Sequence, residues 1–147
     1  MYDRDVNVPR LVGRYALDDE RLPSVLVDAA GRAERETGTP FNSVGLNLYR
    51  DGRDSVAPHN DHLYEIVEGY PIALISLGAT RLMTIRGKSR SGSGNARRRR
   101  RNFDLDLEDG SLLLMSYETQ LHYDHGVPKI RTAVGPRISI ALRVRPR

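Results

Sequence analysis

The sequence predicts a mainly β (α+β) fold, a sandwich or double-sheet jelly roll with one flanking helix. Two patterns support this prediction. Short segments in which apolar and polar residues alternate recur along the chain and are separated by turn residues, as in antiparallel sheets. One segment, residues 22–37, instead has apolar residues at helical spacing. Closely spaced strands with a single helix are typical of these two-sheet architectures.

The predicted helix, residues 22–37, carries one apolar stripe. Pro23 suits a first helical turn, and Gly38 suits the position after the last turn. We therefore expect an amphipathic helix that buries this stripe against the rest of the protein. The stripe consists of Leu22, Val25, Leu26, Ala29, Ala30 and Ala33.

About six or more strands are predicted from alternating or short apolar segments, whereas residues 1–20 look irregular. In the first of these strands, an apolar face alternates with a face that carries Asn47 and Tyr49. Asp109-Gly110 is a strong hairpin signal, so the strands on either side of it are expected to pair. The predicted strands are residues 41–50, 72–77, 81–86, 103–107, 111–117 and 137–144.

The length and composition exclude several classes of protein. The 147 residues suffice for one domain with one core, so residues 1–147 are expected to form a single domain. The absence of cysteine excludes disulfides, thiolate metal sites and iron–sulfur clusters, and it fits a reducing cytoplasm. No apolar run approaches the ~20 residues of a membrane helix. We expect a cytoplasmic monomer without a membrane partner.

The basic charge is concentrated in one segment. The formal net charge is +4, yet residues 97–101 alone are five consecutive arginines. Residues 87–101 have low complexity and are expected to form a flexible basic loop. Such a run either contacts phosphates or remains a solvated loop, and the sequence leaves both possibilities open.

The four histidines form two clusters, His59 with His62 and His122 with His125. On an extended segment residues two apart point the same way, so His59 and Asp61 can bind one ion. A third ligand from a distant strand would complete the two-histidine, one-carboxylate pattern of non-haem Fe(II) oxygenases. Two alternatives remain open at this point: a four-histidine zinc site and four ordinary histidines near loop edges.

The last predicted strand places Arg137 and Arg143 on one face and apolar residues on the other. Because a guanidinium matches two carboxylate oxygens, this pair can hold a small dicarboxylate between them. Asn47 and Tyr49 can add an amide and a hydroxyl to the same cavity. The alternative is a surface strand with exposed arginines.

The order of these motifs along most of the chain closely resembles the AlkB family of iron(II)- and 2-oxoglutarate-dependent dioxygenases. Residues 8–10 resemble a short motif near the substrate lid of that family. The motifs that carry the resemblance are Asn47-Leu48-Tyr49-Arg50-Asp51-Gly52, His59-x-Asp61, Pro71-Ile72-Ala73, Asp109-Gly110-Ser111-Leu112-Leu113-Leu114-Met115, Gln120, His125-Gly126-Val127-Pro128-Lys129 and Pro136-Arg137-Ile138-Ser139 through Arg143.

The resemblance implies a double-stranded β-helix core that holds Fe(II) and uses 2-oxoglutarate and O₂. It implies oxidative dealkylation of N-alkylated nucleobases in DNA or RNA, a repair reaction with alkylated nucleic acid as the partner. One arginine would pair with the distal carboxylate of 2-oxoglutarate, and the other would lie nearer the metal. The implied metal ligands are His59, Asp61 and His125, and the implied 2-oxoglutarate contacts are Asn47, Tyr49, Arg137 and Arg143.

Two departures from the family pattern affect the expected substrate. Nucleic-acid repair members usually have an acidic residue two positions after the metal Asp, where this chain has Leu63, with Glu65 two positions further on. The chain also begins close to the lid motif, so a short or truncated lid is expected. Substrate-binding residues stay unassigned. Two other functions remain: the same chemistry on a protein or small molecule, and a non-catalytic nucleic-acid-binding module with a degenerate metal site.

Overall fold

Two antiparallel sheets and one long helix make up the computed structural model, which describes residues 9–88 and 101–147. The five-stranded sheet has the order β1-β2-β9-β4-β7, and the four-stranded sheet has the order β3-β8-β5-β6. This is the predicted mainly β, jelly-roll type of fold. The elements are β1 Leu11–Ala16, α1 Ser24–Thr37, β2 Ser43–Tyr49, β3 Val56–His59, β4 Ile72–Gly78, β5 Arg81–Gly87, β6 Phe103–Leu107, β7 Leu112–Met115, α2 Tyr117–His122, β8 Tyr123–Val127 and β9 Arg137–Arg143.

Helix α1 begins after Pro23 and ends at Gly38, as its sequence predicts. Gly38 adopts a left-handed conformation with φ 68°, and its N–H donates to the Glu34 carbonyl at 2.7 Å. This C-cap satisfies a carbonyl that the last turn would leave unpaired. Ala30 and Ala33 are buried in one core cluster with residues of β2, β4 and β9, so α1 covers the outer face of the five-stranded sheet.

The boundaries of the predicted strands agree with the structure within a few residues, but β3 and β8 are not among them, and β1 lies inside the segment expected to be irregular. Strand β1 is an exposed edge strand that pairs antiparallel with β2, from Leu11↔Leu48 to Ala16↔Ser43. Because most of its side chains face solvent, no apolar alternation marks the strand. The expectation for residues 1–20 is therefore wrong for this part, since the pairing partner, not the local pattern, determines the strand.

The hairpin expected at Asp109-Gly110 does not form. Strand β6 pairs with β5 in one sheet, and β7 pairs with β4 in the other. The turn is anchored on the end of β4 instead: Gly110 N–H donates to the Ser76 carbonyl at 2.7 Å, and Asp109 Oδ1 accepts from Gly78 N–H at 2.8 Å. A tight turn with φ 74° at Gly110 reverses the chain, but it does not determine which sheet receives the next strand.

Strand β9 is central in its sheet and is buried on both faces over most of its length. Ile140 and Leu142 pack in the cluster beneath α1, while Ala141 packs in the core between the sheets. Arg137 and Ser139 lie on the same inner face as Ala141 and are also buried. The alternative of a surface strand with exposed arginines is therefore wrong, because a second sheet covers the polar face.

Residues 89–100 lie outside the described ranges, so the flexible basic loop expected at 87–101 stays a prediction for most of its length. The single-domain organisation and the monomeric state also stay predictions. Neither described helix has the length and apolar character to cross a membrane.

Candidate metal centre and anion pocket

His59, Asp61 and His125 converge between two paired strands. His59 ends β3 and lies directly opposite His125 of β8 in the strand register, while Asp61 follows two residues after His59. One ligand atom from each side chain lies within 4.8 Å of the other two, which is close enough for all three to bind one ion. The three implied metal ligands therefore meet at one point. Two imidazoles and one carboxylate, with other positions open, form the donor set of non-haem Fe(II) oxygenases.

Hydrogen bonding and burial prepare both histidines for metal binding. His59 Nδ1 lies 2.9 Å from the Ala57 carbonyl oxygen, and since a carbonyl only accepts, Nδ1 carries the proton and Nε2 is left for the ion. Burial, and after it the charge of His59, lowers the pKa of His125 to about 4. His125 is therefore neutral near pH 7, which is the state that ligates metals.

The Asp61 carboxylate is kept ionised by Arg143. Burial of this side chain, which is 8% exposed, would raise its pKa, but the hydrogen bond from Arg143 Nε and the charge of that guanidinium hold the pKa below its usual value. The Asp61 N–H also donates to Oε1 of the fully buried Gln120 at 2.9 Å. Both contacts orient the carboxylate, as groups around metal ligands commonly do.

The other two histidines do not join this group. His62 and His122 are both exposed, and His62 stacks on Tyr64 with ring centroids 5.3 Å apart. Within the described ranges, His59, Asp61 and His125 form the one cluster of side chains able to hold a metal. The four-histidine zinc alternative does not match this arrangement, because His62 lies after β3 and directly before a 3₁₀ turn, His122 ends α2, and both side chains are exposed.

All four residues implied to contact 2-oxoglutarate line one cavity of about 160 Å³ together with the three metal ligands. Arg137 is 1% exposed, and its Nη2 donates to Ser76 Oγ at 2.9 Å. Its Nε and Nη1 have no hydrogen-bond partner among the described residues. Buried guanidinium nitrogens without acceptors are costly, so this arrangement fits a carboxylate ligand that supplies the missing oxygens.

Tyr49 and Asn47 form the neighbouring wall of the cavity. The buried Tyr49 ring lies close to two guanidinium groups, with Arg137 Cζ 5.1 Å and Arg81 Cζ 5.6 Å from its centroid. Burial raises the pKa of Tyr49, so its hydroxyl stays protonated and can donate to an anion. Asn47 Oδ1 accepts from Arg10 Nε at 3.0 Å, which links the segment before β1 to this wall.

Arg81 supports the site from behind Tyr49, and the sequence patterns do not reveal this role. It is fully buried, and it donates to three carbonyls: Nη1 to Asp51 at 3.0 Å, and Nη2 to Asp54 and to Pro128, each at 2.8 Å. These contacts join the loop after β2 to the loop after β8. They thereby fix the position of β2, which carries Tyr49, relative to β8, which carries His125. At the start of an alternating strand an arginine is usually exposed, so the local pattern contains no signal of this role.

The segment after Asp61 places Glu65, not Leu63, in the cavity wall. Leu63 is exposed on a single 3₁₀ turn, Leu63–Glu65. The Glu65 carboxylate lies 3.8 Å from Arg14 and 3.7 Å from Arg145, at the mouth of the cavity.

Comparisons with known proteins agree with this geometry. A family model described as the 2OG-Fe(II) oxygenase superfamily matches residues 11–143. The Bos taurus protein named DNA oxidative demethylase ALKBH2 is 36% identical over 119 residues, covering 81% of this chain and 42% of the relative. The Homo sapiens protein named alpha-ketoglutarate-dependent dioxygenase alkB homolog 3 is 34% identical over 119 residues, again covering 81% of this chain and 42% of the relative.

A solved structure, that of OsALKBH1, shares the fold with a TM-score of 0.51 at 16% identity, covering 83% of this chain and 60% of that one. The chain spans about two fifths of the length of the curated relatives given above. Enzymes of the matching superfamily use Fe(II), 2-oxoglutarate and O₂, and the donor set and anion pocket suit these groups. The chain thus belongs to the 2OG-Fe(II) oxygenase superfamily, and within it the chain is AlkB-like.

Proposed function

We propose that this protein is an Fe(II)- and 2-oxoglutarate-dependent dioxygenase that removes N-alkyl groups from damaged nucleobases in DNA or RNA. One observation carries the proposal: a His-Asp-His metal group shares a small cavity with a buried arginine whose Nε and Nη1 have no partner among the described residues. The Bos taurus relative supports the substrate class, because it is named a DNA oxidative demethylase.

Each residue of the cavity has a role that follows from its contacts. His59, Asp61 and His125 would hold the iron, and Arg143 keeps the Asp61 carboxylate ionised and oriented. Arg137, supported by the Tyr49 hydroxyl, would bind the distal carboxylate of 2-oxoglutarate through its two unpaired nitrogens. Because Tyr49, His125 and Arg137 are buried on sheet strands, they hold the co-substrate in one orientation and limit the access of water.

Iron held by these residues would supply, with 2-oxoglutarate and O₂, the oxidising power needed to hydroxylate an N-alkyl carbon. One oxygen atom of O₂ enters the alkyl group, and the other enters the succinate that forms as 2-oxoglutarate loses CO₂. The hydroxyalkyl product then breaks its C–N bond and releases an aldehyde and the unmodified base. A base in a duplex has to leave the stack to reach so small a cavity.

Turnover on a defined substrate panel tests the proposal. Purified protein with Fe(II), ascorbate, 2-oxoglutarate and O₂ should form succinate and formaldehyde in equal amounts on oligonucleotides that contain 1-methyladenine or 3-methylcytosine. The His59→Ala variant should lose this activity, while His122→Ala, a change of the same kind at an exposed residue outside the metal group and outside the cavity lining, should retain it. Equal activity in the two variants, or no methylated-base turnover by the wild type, would refute the proposal.

A second candidate is the same chemistry on a protein side chain or small amine. It is favoured by Leu63, an exposed apolar residue at the position where repair members usually have an acid. Succinate formation that is strong with methylated peptides or amines and absent with methylated oligonucleotides would establish this candidate instead. The third alternative, a binding module with a degenerate site, is disfavoured by the complete set of converging ligands.

A further inference from the structure

Arg10 extends its side chain into the wall of the metal pocket. It lies in the bend directly before β1, and it lines the same cavity as Asn47 and Tyr49. Its Nε donates to Asn47 Oδ1 at 3.0 Å, although the two residues are 37 positions apart in the sequence. Within the described ranges this is the one hydrogen bond of the Arg10 side chain. That bond is therefore made with a residue implied to contact 2-oxoglutarate.

The main chain on both sides of Arg10 is anchored. The Pro9 carbonyl accepts from Ser55 N–H at 2.8 Å, and Leu11 begins the pairing with β2 opposite Leu48. Arg10 is thus held between the loop after β2 and the first residue pair of the sheet. Because its backbone is fixed at these two points, its guanidinium can hold a neighbouring side chain in one orientation.

The charge of Arg10 also acts on Tyr49, the other member of this wall. Burial raises the pKa of Tyr49, and the charges of Arg137 and then of Arg10 oppose that rise. Since such an effect weakens with distance, the guanidinium of Arg10 lies near the Tyr49 hydroxyl. The hydrogen bond to Asn47 and the charge acting on Tyr49 agree on the location of Arg10 in the cavity.

The hydrogen bond determines the orientation of the Asn47 amide. An arginine Nε only donates, so the atom that faces it has to be the carbonyl oxygen Oδ1. The amino group Nδ2, which has two N–H donors, then occupies the other branch of the amide. The two carboxylates and the keto group of 2-oxoglutarate offer only acceptors. A wall that presents Nδ2 therefore suits this co-substrate, whereas a wall that presents Oδ1 opposes it.

The strand neighbours of Asn47 do not select this orientation. Asn47 lies opposite Val12 of β1 and Ser139 of β9 in the strand register. The Val12 side chain has no polar atom, and the hydroxyl of the buried Ser139 can either donate or accept. Of the residues that the structure describes, Arg10 is the one whose hydrogen bond holds the amide.

We propose that Arg10 is a positioning residue for the co-substrate, and that it holds the Asn47 amide with Nδ2 directed towards 2-oxoglutarate. Arg10 acts through Asn47. Without it the amide can turn about its Cβ–Cγ bond, and Oδ1 then competes with Nδ2 for the position facing the anion. The inference rests on the proposed function, because Asn47 is a co-substrate contact only if this cavity holds 2-oxoglutarate.

The affinity of the Fe(II)-loaded protein for 2-oxoglutarate, titrated without O₂ through the visible charge-transfer band, tests this role. Arg10→Met should weaken the affinity about threefold to tenfold, the loss expected for one hydrogen bond. In succinate assays KM for 2-oxoglutarate should rise by the same factor with kcat retained, because only binding is affected. Arg10→Lys keeps a donor and should recover most of the affinity. The control is Arg32→Met, an exposed arginine of α1 outside the cavity, which should change neither quantity.

A double-mutant cycle distinguishes an effect through Asn47 from a direct effect of the Arg10 charge. Asn47→Leu removes the amide, so adding Arg10→Met to Asn47→Leu should weaken the affinity no further. An equal loss in both backgrounds would overturn the proposal, because Arg10 would then act on the anion by itself.

Asn47→Asp tests the donor separately. An aspartate still accepts from Arg10 but replaces Nδ2 with a second, negatively charged oxygen. The variant should therefore melt at the wild-type temperature or above it without 2-oxoglutarate, and should bind the co-substrate more weakly than Arg10→Met does. Wild-type affinity in Asn47→Asp would contradict the assignment of Nδ2 as the donor.

The outcomes separate this inference from the proposed function. If methylated oligonucleotides are turned over and Arg10→Met binds 2-oxoglutarate like the wild type, the positioning role fails and the proposed function stands. If no methylated base is turned over but the cycle shows the expected coupling, the proposed substrate class fails and the positioning role stands. A variant Arg10→Met in which Tm without ligand and kcat both fall, with KM unchanged, would show a purely structural role and overturn the proposal.

Discussion

Replacing Arg137 with methionine separates two opposite effects of this buried guanidinium. Without co-substrate, Arg137 Nη2 donates to Ser76 Oγ, whereas Nε and Nη1 lack partners of good hydrogen-bond geometry among the described residues. Burying a guanidinium removes it from water at a cost in free energy, and an apolar side chain of similar length avoids that cost. Such replacements of buried charges are often neutral or stabilising. We therefore expect the free energy of unfolding of the unliganded protein to stay within about 1 kcal/mol or to rise.

When 2-oxoglutarate is present, the same replacement is expected to be unfavourable, because it removes the group that binds the carboxylate. Truncating one partner of a buried, hydrogen-bonded charge pair costs about 2–5 kcal/mol, and a central value of ~3 kcal/mol corresponds to a roughly 100-fold weaker affinity. The KM for 2-oxoglutarate should therefore rise about 100-fold in Arg137→Met, and the thermal stabilisation by added 2-oxoglutarate should disappear.

Differential scanning fluorimetry with and without 2-oxoglutarate, combined with succinate assays, measures both effects. The control is Arg53→Met, at an exposed arginine outside the cavity, which should change neither quantity. A variant that unfolds several degrees lower without ligand, yet has an unchanged KM for 2-oxoglutarate, would refute the role of Arg137 as the carboxylate-binding residue.

Three further variants test the supporting contacts. Arg143→Met should weaken Fe(II) binding about 10- to 100-fold in an anaerobic chelator competition, because Asp61 loses its orienting partner; unchanged affinity would argue against that role. Arg81→Lys should lower stability by about 3 kcal/mol and Tm by roughly 10 °C, since one ammonium group cannot serve three carbonyls in two loops, and an unchanged melting curve would show that these contacts are dispensable. Gly78→Ala should cost more than about 2 kcal/mol, because φ is +93° and the added Cβ would lie 2.4 Å from the Pro136 carbonyl oxygen; a Tm within about 2 °C of wild type would contradict this.

The sequence predicts those parts of the site whose side-chain directions follow from the local backbone geometry alone. Alternation along an extended chain puts His59 and Asp61 on one side, and the same alternation puts Asn47 and Tyr49 on one face of β2. The third ligand is different, because spacing alone does not distinguish His122 from His125 and only the family resemblance points to His125. In the structure the choice follows from the pairing of β8 with β3, a contact between distant segments.

The burial of Arg81, the orientation of Asp61 and the pairing of β7 could not be predicted, because each depends on segments that are distant in the sequence. The burial of Arg81 reflects the two loops that close over it, and the orientation of Asp61 depends on Gln120 from α2. The Asp109-Gly110 turn indicates a reversal but not the sheet that the next strand joins. In each case the missing information lies in residues far away along the chain.

Anaerobic titration of the purified protein with Fe(II) in the presence of 2-oxoglutarate tests the metal and co-substrate site most directly. We expect one equivalent of Fe(II) to produce a weak visible charge-transfer band that requires 2-oxoglutarate. The band should be lost in His125→Ala and retained in His122→Ala, where the histidine is exposed and lies outside the metal group. A band that survives in His125→Ala, or its absence in the wild type, would contradict the assignment of this cavity.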